Sequence, residues 1–288
     1  MWDIAQTLLN GLTLSGLYAL IAIGLTLFFG VMGIFNLAHG EFAVGCVLLV
    51  WWISSRWDVD PLIALGPSLV AICLLGLVSY RWLYEPVLGS SVLSQLLMAV
   101  GISLVLQNGM QLVFGGDFHG LSSSYGSRVI HVGELSVSFM RLMGLLVGVA
   151  ISVATLLLLK YSRFGRDVRA VAQDRELASI SGISVRRTFG LIAVLGSAFA
   201  GLAGFMLGFI NPVGPHSGLY FTLKATSIVV LGGLGSVTGA LIGAFILGMS
   251  EVMIAAYVPG GAAWSQAVAF VVLIAVLLVR PRGLLGQH

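Results

Sequence analysis

The residues best suited to chemistry fall into three groups. The first is Asn36-Leu37-Ala38-His39-Gly40-Glu41-Phe42, where an amide, an imidazole and a carboxylate sit between two long apolar runs. Ionisable groups at such depth are costly and tend to be retained for function. Asn36 and His39 can satisfy backbone carbonyls at a helix break or line a pathway with Gly40 and Glu41, and both roles are compatible. The second group surrounds Lys224, flanked by Tyr220, Thr222 and Thr226 and followed by Gly232-Gly233-Leu234-Gly235-Ser236. Lys224 can snorkel to an interface or meet a substrate carboxylate or a receptor. Glu251 reads as an interfacial or inter-subunit residue rather than a proton carrier. The third group is a basic stretch with Lys160, Arg163, Arg166, Arg169, Arg175, Arg186 and Arg187, half of the 14 lysines and arginines in the chain.

Of the 288 residues 58% are hydrophobic and 9% are charged, against about 25% charged in a soluble domain. Most of the outer surface must therefore face lipid. A helix needs about 20 apolar residues to cross the hydrocarbon core. Candidate spans are 7–29, 34–53, 62–80, 92–114, 142–159, 189–210, 227–258 and 263–279. The seventh is too long for one straight helix, and its glycines predict a break near 227–240, since broken helices at membrane depth are tolerated only against protein or a watery cavity. The start Met1-Trp2-Asp3 lacks the basic region of a signal peptide, so the apolar run after it is expected to remain as the first span.

The positive-inside rule puts the basic loop 162–187 in the cytoplasm and the nearly neutral, Gly/Ser-rich loop 115–141 on the other side. The tail Arg280-Pro281-Arg282 also reads as cytoplasmic. Eight spans would leave that tail outside; a ninth segment within 216–235 removes the conflict. The expectation is thus an all-α polytopic bundle of eight or nine membrane segments, one domain over 1–288. Cys46 and Cys73 lie in apolar stretches and read as small core residues. The remaining glycines inside the spans read as close helix packing.

Within the basic loop, Asp174 suits an N-cap and Glu176 the first turn, where the helix dipole favours a carboxylate. Leu177, Ala178 and Ile180 give an apolar side, and Gly182 suits the left-handed position after a helix. A helix of two turns is below the length stable alone in water, so either lipid phosphates or a groove on a cytoplasmic partner must hold it. Neither Lys160 nor Lys224 sits in the G-x4-G-K-[ST] phosphate cradle, and H-E-x-x-H, G-x-S-x-G and C-x-x-C are missing. A permease driven by a separate ATPase accounts for both observations.

Arg169-Ala170-x6-Leu177-Ala178-x3-Gly182-Ile183 resembles the coupling loop of ABC importer permeases, with Ala172 and Asp174 inside it. It departs from the Glu-Ala-Ala form, because Leu177 separates Glu176 from Ala178. The stretch 36–42, Gly232 to Ala240 and Arg280 to Gly286 resemble, in order, the motifs of the branched-chain amino acid importer permeases, in their shorter subunit type. The resemblance runs from about Gly11 to Gly286. It implies a type II ABC importer architecture in a bacterial inner membrane, a heterodimer with a longer permease, two cytoplasmic ATPases that carry ATP and magnesium, a periplasmic binding protein, and no cofactor on this chain. Coupling would use Arg169, Ala172, Asp174, Glu176, Leu177, Ala178 and Gly182. The pathway or gate would use Asn36, His39, Gly40, Glu41, Lys224, Gly232, Gly233 and Gly235. No span shows a dense polar cluster able to hold a zwitterion, so the receptor is expected to set specificity. Urea, short amides or other amino acids are alternative substrates. An ion-coupled secondary transporter is an alternative of another class, although it would need carboxylates at mid-span.

Overall fold

The computed structural model describes residues 2–280 and 283–286. Helices α1 (Trp2–Met32), α2 (His39–Trp57), α3 (Pro61–Ser79) and α4 (Val92–Phe114) are followed by a hairpin of β1 (Val129–Val132) and β2 (Leu135–Ser138). Then come α5 (Phe139–Tyr161), α6 (Arg163–Gln173), α7 (Arg175–Ile180), α8 (Val185–Gly208), α9 (Gly218–Gly232), α10 (Val237–Tyr257) and α11 (Gly261–Val279). Among the described residues, six helices are long and apolar enough to cross a membrane: α1, α3 with its extension to Val87, α4, α5, α8 and α10. Helix α2 carries His39, Glu41 and Arg56, and α9 has 15 residues. Pro281 and Arg282 of the expected cytoplasmic tail lie outside the described residues.

Helix α1 is the hub, packing on α10, α8 and α5, while α2 packs on α8 and α3. Leu17, Leu20, Ala22 and Ile23 of α1 are fully buried. Helices α3, α4 and α5 instead turn Val70, Val105, Leu112 and Leu157 outward. In water that would be an aggregating surface; in a bilayer it is the lipid-facing one.

Two parts of the chain follow one plan in opposite directions. A long helix (α1 or α8) ends, a connecting stretch turns back (residues 33–38, or 209–217 with a 3-10 turn at Pro215–Ser217), and a second helix (α2 or α9) starts inside the bundle. The depth is fixed by contacts. His39 at the start of α2 reaches Ile21, midway along α1, and Glu41 reaches Ser103, midway along α4. From there α2 runs to the end where Trp51 stacks on His119, with ring centroids 3.5 Å apart. Helix α9 runs the other way, to the end where Gly30 of α1 meets Gly235.

Several boundaries differ from the sequence expectation. The break expected near 227–240 falls between α9 and α10, and α9 (Gly218–Gly232) lies within the stretch 216–235 from which a further segment was expected, while the span drawn at 227–258 starts nine residues late. The expected loop 115–141 contains the β-hairpin, a small departure from an all-α chain, and Arg141 already belongs to α5. The hairpin is pinned to α1, since the Gln6 side-chain amide donates to the Ser136 carbonyl (2.6 Å) and accepts from its N–H (2.8 Å). The basic loop holds two helices, not one. Ser162 caps α6 by accepting from Gly165 N–H at 2.8 Å, and α6 buries Gly165, Val168 and Val171.

Candidate functional site

The first element is the short helix α7. Asp174 accepts from the N–H groups of Glu176 and Leu177, each at 2.9 Å, as an N-cap carboxylate should. At the other end Gly182 has φ +83°, its N–H donates to Ser179, and Ile183 N–H donates to Ala178. This paired closure satisfies carbonyls that a helix end would otherwise leave bare. Only Ala178 is buried; Asp174, Glu176 and Gly182 are exposed, and Leu177 and Ile180 stand 63% and 83% exposed. The apolar side expected from sequence therefore points mostly away from the chain.

What holds α7 to the bundle is Arg175, a residue counted in the basic loop but not singled out as a site. Its guanidinium donates to the Met32 carbonyl at 2.5 Å, at the last residue of α1, and lies 5.2 Å from the Phe189 ring centre. The next residue is Gly33, at φ +67°, where the chain turns into the stretch 33–38. Lone arginines carry no sequence signal of this kind, since the partner is a backbone carbonyl 143 residues away.

That stretch leads to the second element. Asn36 Oδ1 accepts from Ala38 N–H (3.1 Å) and from the Tyr84 hydroxyl (2.7 Å). Tyr84 ends a π-helical turn, Tyr80–Tyr84, that extends α3; such turns are frequent at functional sites. His39 Nε2 donates to the Ile21 carbonyl at 3.0 Å. Glu41 Oε1 accepts from Ser103 at 2.9 Å. Asn36, His39 and Glu41 are all at most 1% exposed. Asn36 Nδ2, His39 Nδ1 and Glu41 Oε2 have no hydrogen-bond partner among the described residues. Three orphaned polar atoms in six residues are unusual, because buried polar groups are nearly always paired.

Glu41 lies where two helix N-termini converge. Gly40 N–H donates to the Thr222 hydroxyl of α9 at 2.8 Å, and Thr222 in turn donates to the Leu37 carbonyl at 3.1 Å. A side chain on Gly40 would run into the Gly218 carbonyl, and one on Gly218 into the Glu41 carboxylate. Both helix dipoles present their positive ends here, which favours a carboxylate.

The third element is Lys224 of α9, 5% exposed. It does not snorkel. Its Nζ donates to both Glu251 oxygens (2.9 and 2.8 Å) and to the Tyr18 hydroxyl (3.1 Å), and Tyr18 donates to Glu251 at 2.8 Å. The Tyr18 and Tyr220 ring centres lie 5.2 and 5.1 Å from the same nitrogen. Glu251, expected at an interface, is thus the counter-ion of Lys224 and joins α1, α9 and α10. The interior does hold a compact polar cluster, contrary to the sequence expectation, and the carboxylates Glu41 and Glu251 are both buried. Among the described residues no hydrogen bond links this cluster to Asn36, His39 or Glu41.

The glycine break is the fourth element. Gly232 ends α9, Gly233 has φ +108° and Gly235 φ +81°. The C-terminal tail folds back onto it: Leu284 and Leu285 N–H groups donate to the Leu231 and Gly232 carbonyls, both at 2.9 Å. Two motifs far apart in sequence thus form one cap on the α9 C-terminus. Next to it lies a cleft of about 500 Å³, walled by Arg169, Ala172 and Gln173 of α6 and by Gly30, Gly235 and Thr238. Arg169 also donates to the Leu159 carbonyl. Of the expected coupling residues Arg169 and Ala172, and of the expected gate residues Gly235, thus share one cleft; the others lie outside its walls.

Residues 7–277 match the model of the family described as the permease component of the branched-chain amino acid transport system. The chain is 37% identical over 301 residues to the high-affinity branched-chain amino acid transport system permease protein LivH of Escherichia coli, covering 98% of this chain and 95% of that protein. It is 33% identical over 296 residues to the permease protein BraD of Pseudomonas aeruginosa, with the same shares covered. Among solved structures, PsaBC from Streptococcus pneumoniae in complex with Fab is similar in fold, with TM-score 0.51, 13% identity, and 95% of this chain and 91% of that chain covered.

Proposed function

The chain belongs to the branched-chain amino acid transport permease family, and on that premise we propose that it is a membrane-spanning permease subunit of an ATP-driven importer. It carries leucine, isoleucine or valine handed over by a periplasmic binding protein across a bacterial inner membrane. Two ATPases bind and hydrolyse ATP with magnesium on the cytoplasmic face. A related, longer permease completes a heterodimer, and this chain binds no cofactor.

The observation that carries this reading is the posture of α7. It is capped at both ends, tied to the end of α1 by Arg175, and turns Leu177, Ile180 and Glu176 outward. An apolar face held out on the basic side of the molecule suits a groove on another protein. When the ATPases close, α7 moves; Arg175 transmits the displacement to Met32 and Gly33, and so to Asn36, His39, Gly40 and Glu41. In parallel α6 presses Arg169 and Ala172 toward the break at Gly232, Gly233 and Gly235. Lys224 sits on the helix that this break releases.

Nine helices serve as membrane segments in this reading, α2, α9 and α11 joining the six longest. With loop 162–187 in the cytoplasm, nine crossings put the N-terminus outside and Arg280 inside, in accord with the positive-inside rule.

A pull-down of the protein from native membranes tests the class: recovery of a P-loop ATPase and a second permease is expected, and recovery of neither would overturn it. The buried carboxylates are what an ion-coupled carrier would need. Glu251, however, is neutralised by Lys224, and Glu41 sits at two positive helix ends. Urea or short amides are separated from amino acids by exchanging the binding protein and measuring which solute enters.

A further inference from the structure

Beside the Lys224–Glu251 pair lies a cavity of about 290 Å³ between α9 and α11. Its walls are apolar at Leu219, Leu223 and Phe270 and polar at His216, Tyr220, Ser227 and Lys224, with Glu251 not in the wall but directly beyond the Lys224 nitrogen at 2.8 Å. That volume is at the lower end for small-molecule pockets and suits a ligand of amino-acid size.

The chemistry of the pair narrows the ligand. A lone cation or anion entering the bundle would have to strip Lys224 or Glu251 of its partner and leave a buried charge uncompensated, which is strongly unfavourable. A zwitterion carries both charges on adjacent groups. Its carboxylate can take Lys224 while its ammonium takes Glu251, so four charges alternate and none is stranded. The Tyr18 hydroxyl, which already touches both side chains, stays bonded to either one. The two aromatic rings flanking Nζ lie within the range of cation–π attraction. They keep the ammonium of Lys224 stabilised while its carboxylate partner changes. An aliphatic side chain is left to fill the space between Leu219, Leu223 and Phe270. A pair that only fastened α9 to α10 would need no cavity against its cation.

We propose that Lys224, Glu251 and the cavity between α9 and α11 form an intramembrane subsite for a zwitterionic amino acid with an aliphatic side chain. The subsite rests on the reading of the chain as an amino-acid permease and adds a step at which the membrane subunit itself recognises the substrate.

The test uses the complete transporter in proteoliposomes, with two variants that act differently. The double variant Lys224→Gln/Glu251→Gln removes both charges without stranding one, and Leu223→Trp fills the cavity while leaving the pair untouched. Each is expected to lower leucine uptake per ATP hydrolysed at least tenfold. Saturation-transfer NMR on the receptor-free complex provides the second readout. Leucine is expected to receive saturation more strongly than 4-methylpentanoate or isoamylamine, which carry one charge each, and to lose it in both variants. Should Lys224→Gln/Glu251→Gln fail to assemble, Leu223→Trp decides alone. Unchanged uptake and saturation in Leu223→Trp would overturn the subsite. Failure of the unmodified complex to import leucine at all would instead overturn the permease reading.

Discussion

Gly182 closes α7 at φ +83°, and no atom of the described residues crowds the place where its side chain would be. The position selects glycine for its backbone angle alone. A β-branched residue there pays roughly 1–2 kcal/mol in the left-handed region, enough to loosen a six-residue helix. Gly182→Val is expected to insert normally and to reduce ATPase recovery on co-purification severalfold; full recovery with full activity would show that the cap is not required. Lys224 and Glu251 make a different residue-scale prediction. Removing one partner of a buried pair costs about 3–5 kcal/mol, whereas removing both costs much less. Thermal unfolding in detergent should therefore rank Lys224→Met below Lys224→Met/Glu251→Leu in stability. Equal or additive losses would mean the pair is solvated. The cap residues of α7 were legible in sequence because capping is local. The partner of Lys224 was not, because it sits 27 residues away on another helix and an isolated lysine in a span is also what a snorkelling residue looks like.

At the scale of elements, the proposed coupling runs through two joints. One is the turn from α1 into residues 33–38, gripped by Arg175. Arg175→Ala should leave the ATPases bound through the outward face of α7 yet lower substrate moved per ATP hydrolysed about tenfold; an unchanged ratio would remove Arg175 from the coupling route. The other joint is the break after α9. At Gly233 both the backbone angle and the space forbid a side chain, since one would run into Leu285 and Gly286 of the tail. Gly233→Leu is expected to keep ATPase binding and abolish uptake, and normal uptake would show the break is not part of the gate. The break itself was readable from the glycine cluster. Helix α6 was not singled out as a separate helix. Its start is marked by one serine, and its buried residues are separated by arginines, so the stretch reads first as charge. The stretch that forms α9 was offered in sequence only by the charge balance of the loops, which asked for a further segment within 216–235, because Gly218 to Thr226 mixes polar residues into an apolar run.

For the whole molecule, the class was legible from composition: few charges and many long apolar runs leave lipid as the main solvent. The paired re-entrant plan of α1–α2 and α8–α9 was hidden, since it depends on where helices begin relative to one another. It brings Gly40 and Gly218 together and leaves polar atoms of Asn36, His39 and Glu41 without partners among the described residues. The basic residues of α6 and α7 lie at the end shared by the tail and the α9 break, while Gln6, the hairpin and His119 mark the other.

The most direct measurement is uptake by proteoliposomes containing this chain with its candidate partner permease, ATPases and binding protein. Leucine accumulation that requires ATP hydrolysis and stops when α7 can no longer engage the ATPases is the predicted result. Accumulation driven by an ion gradient with no ATPase present would contradict the account.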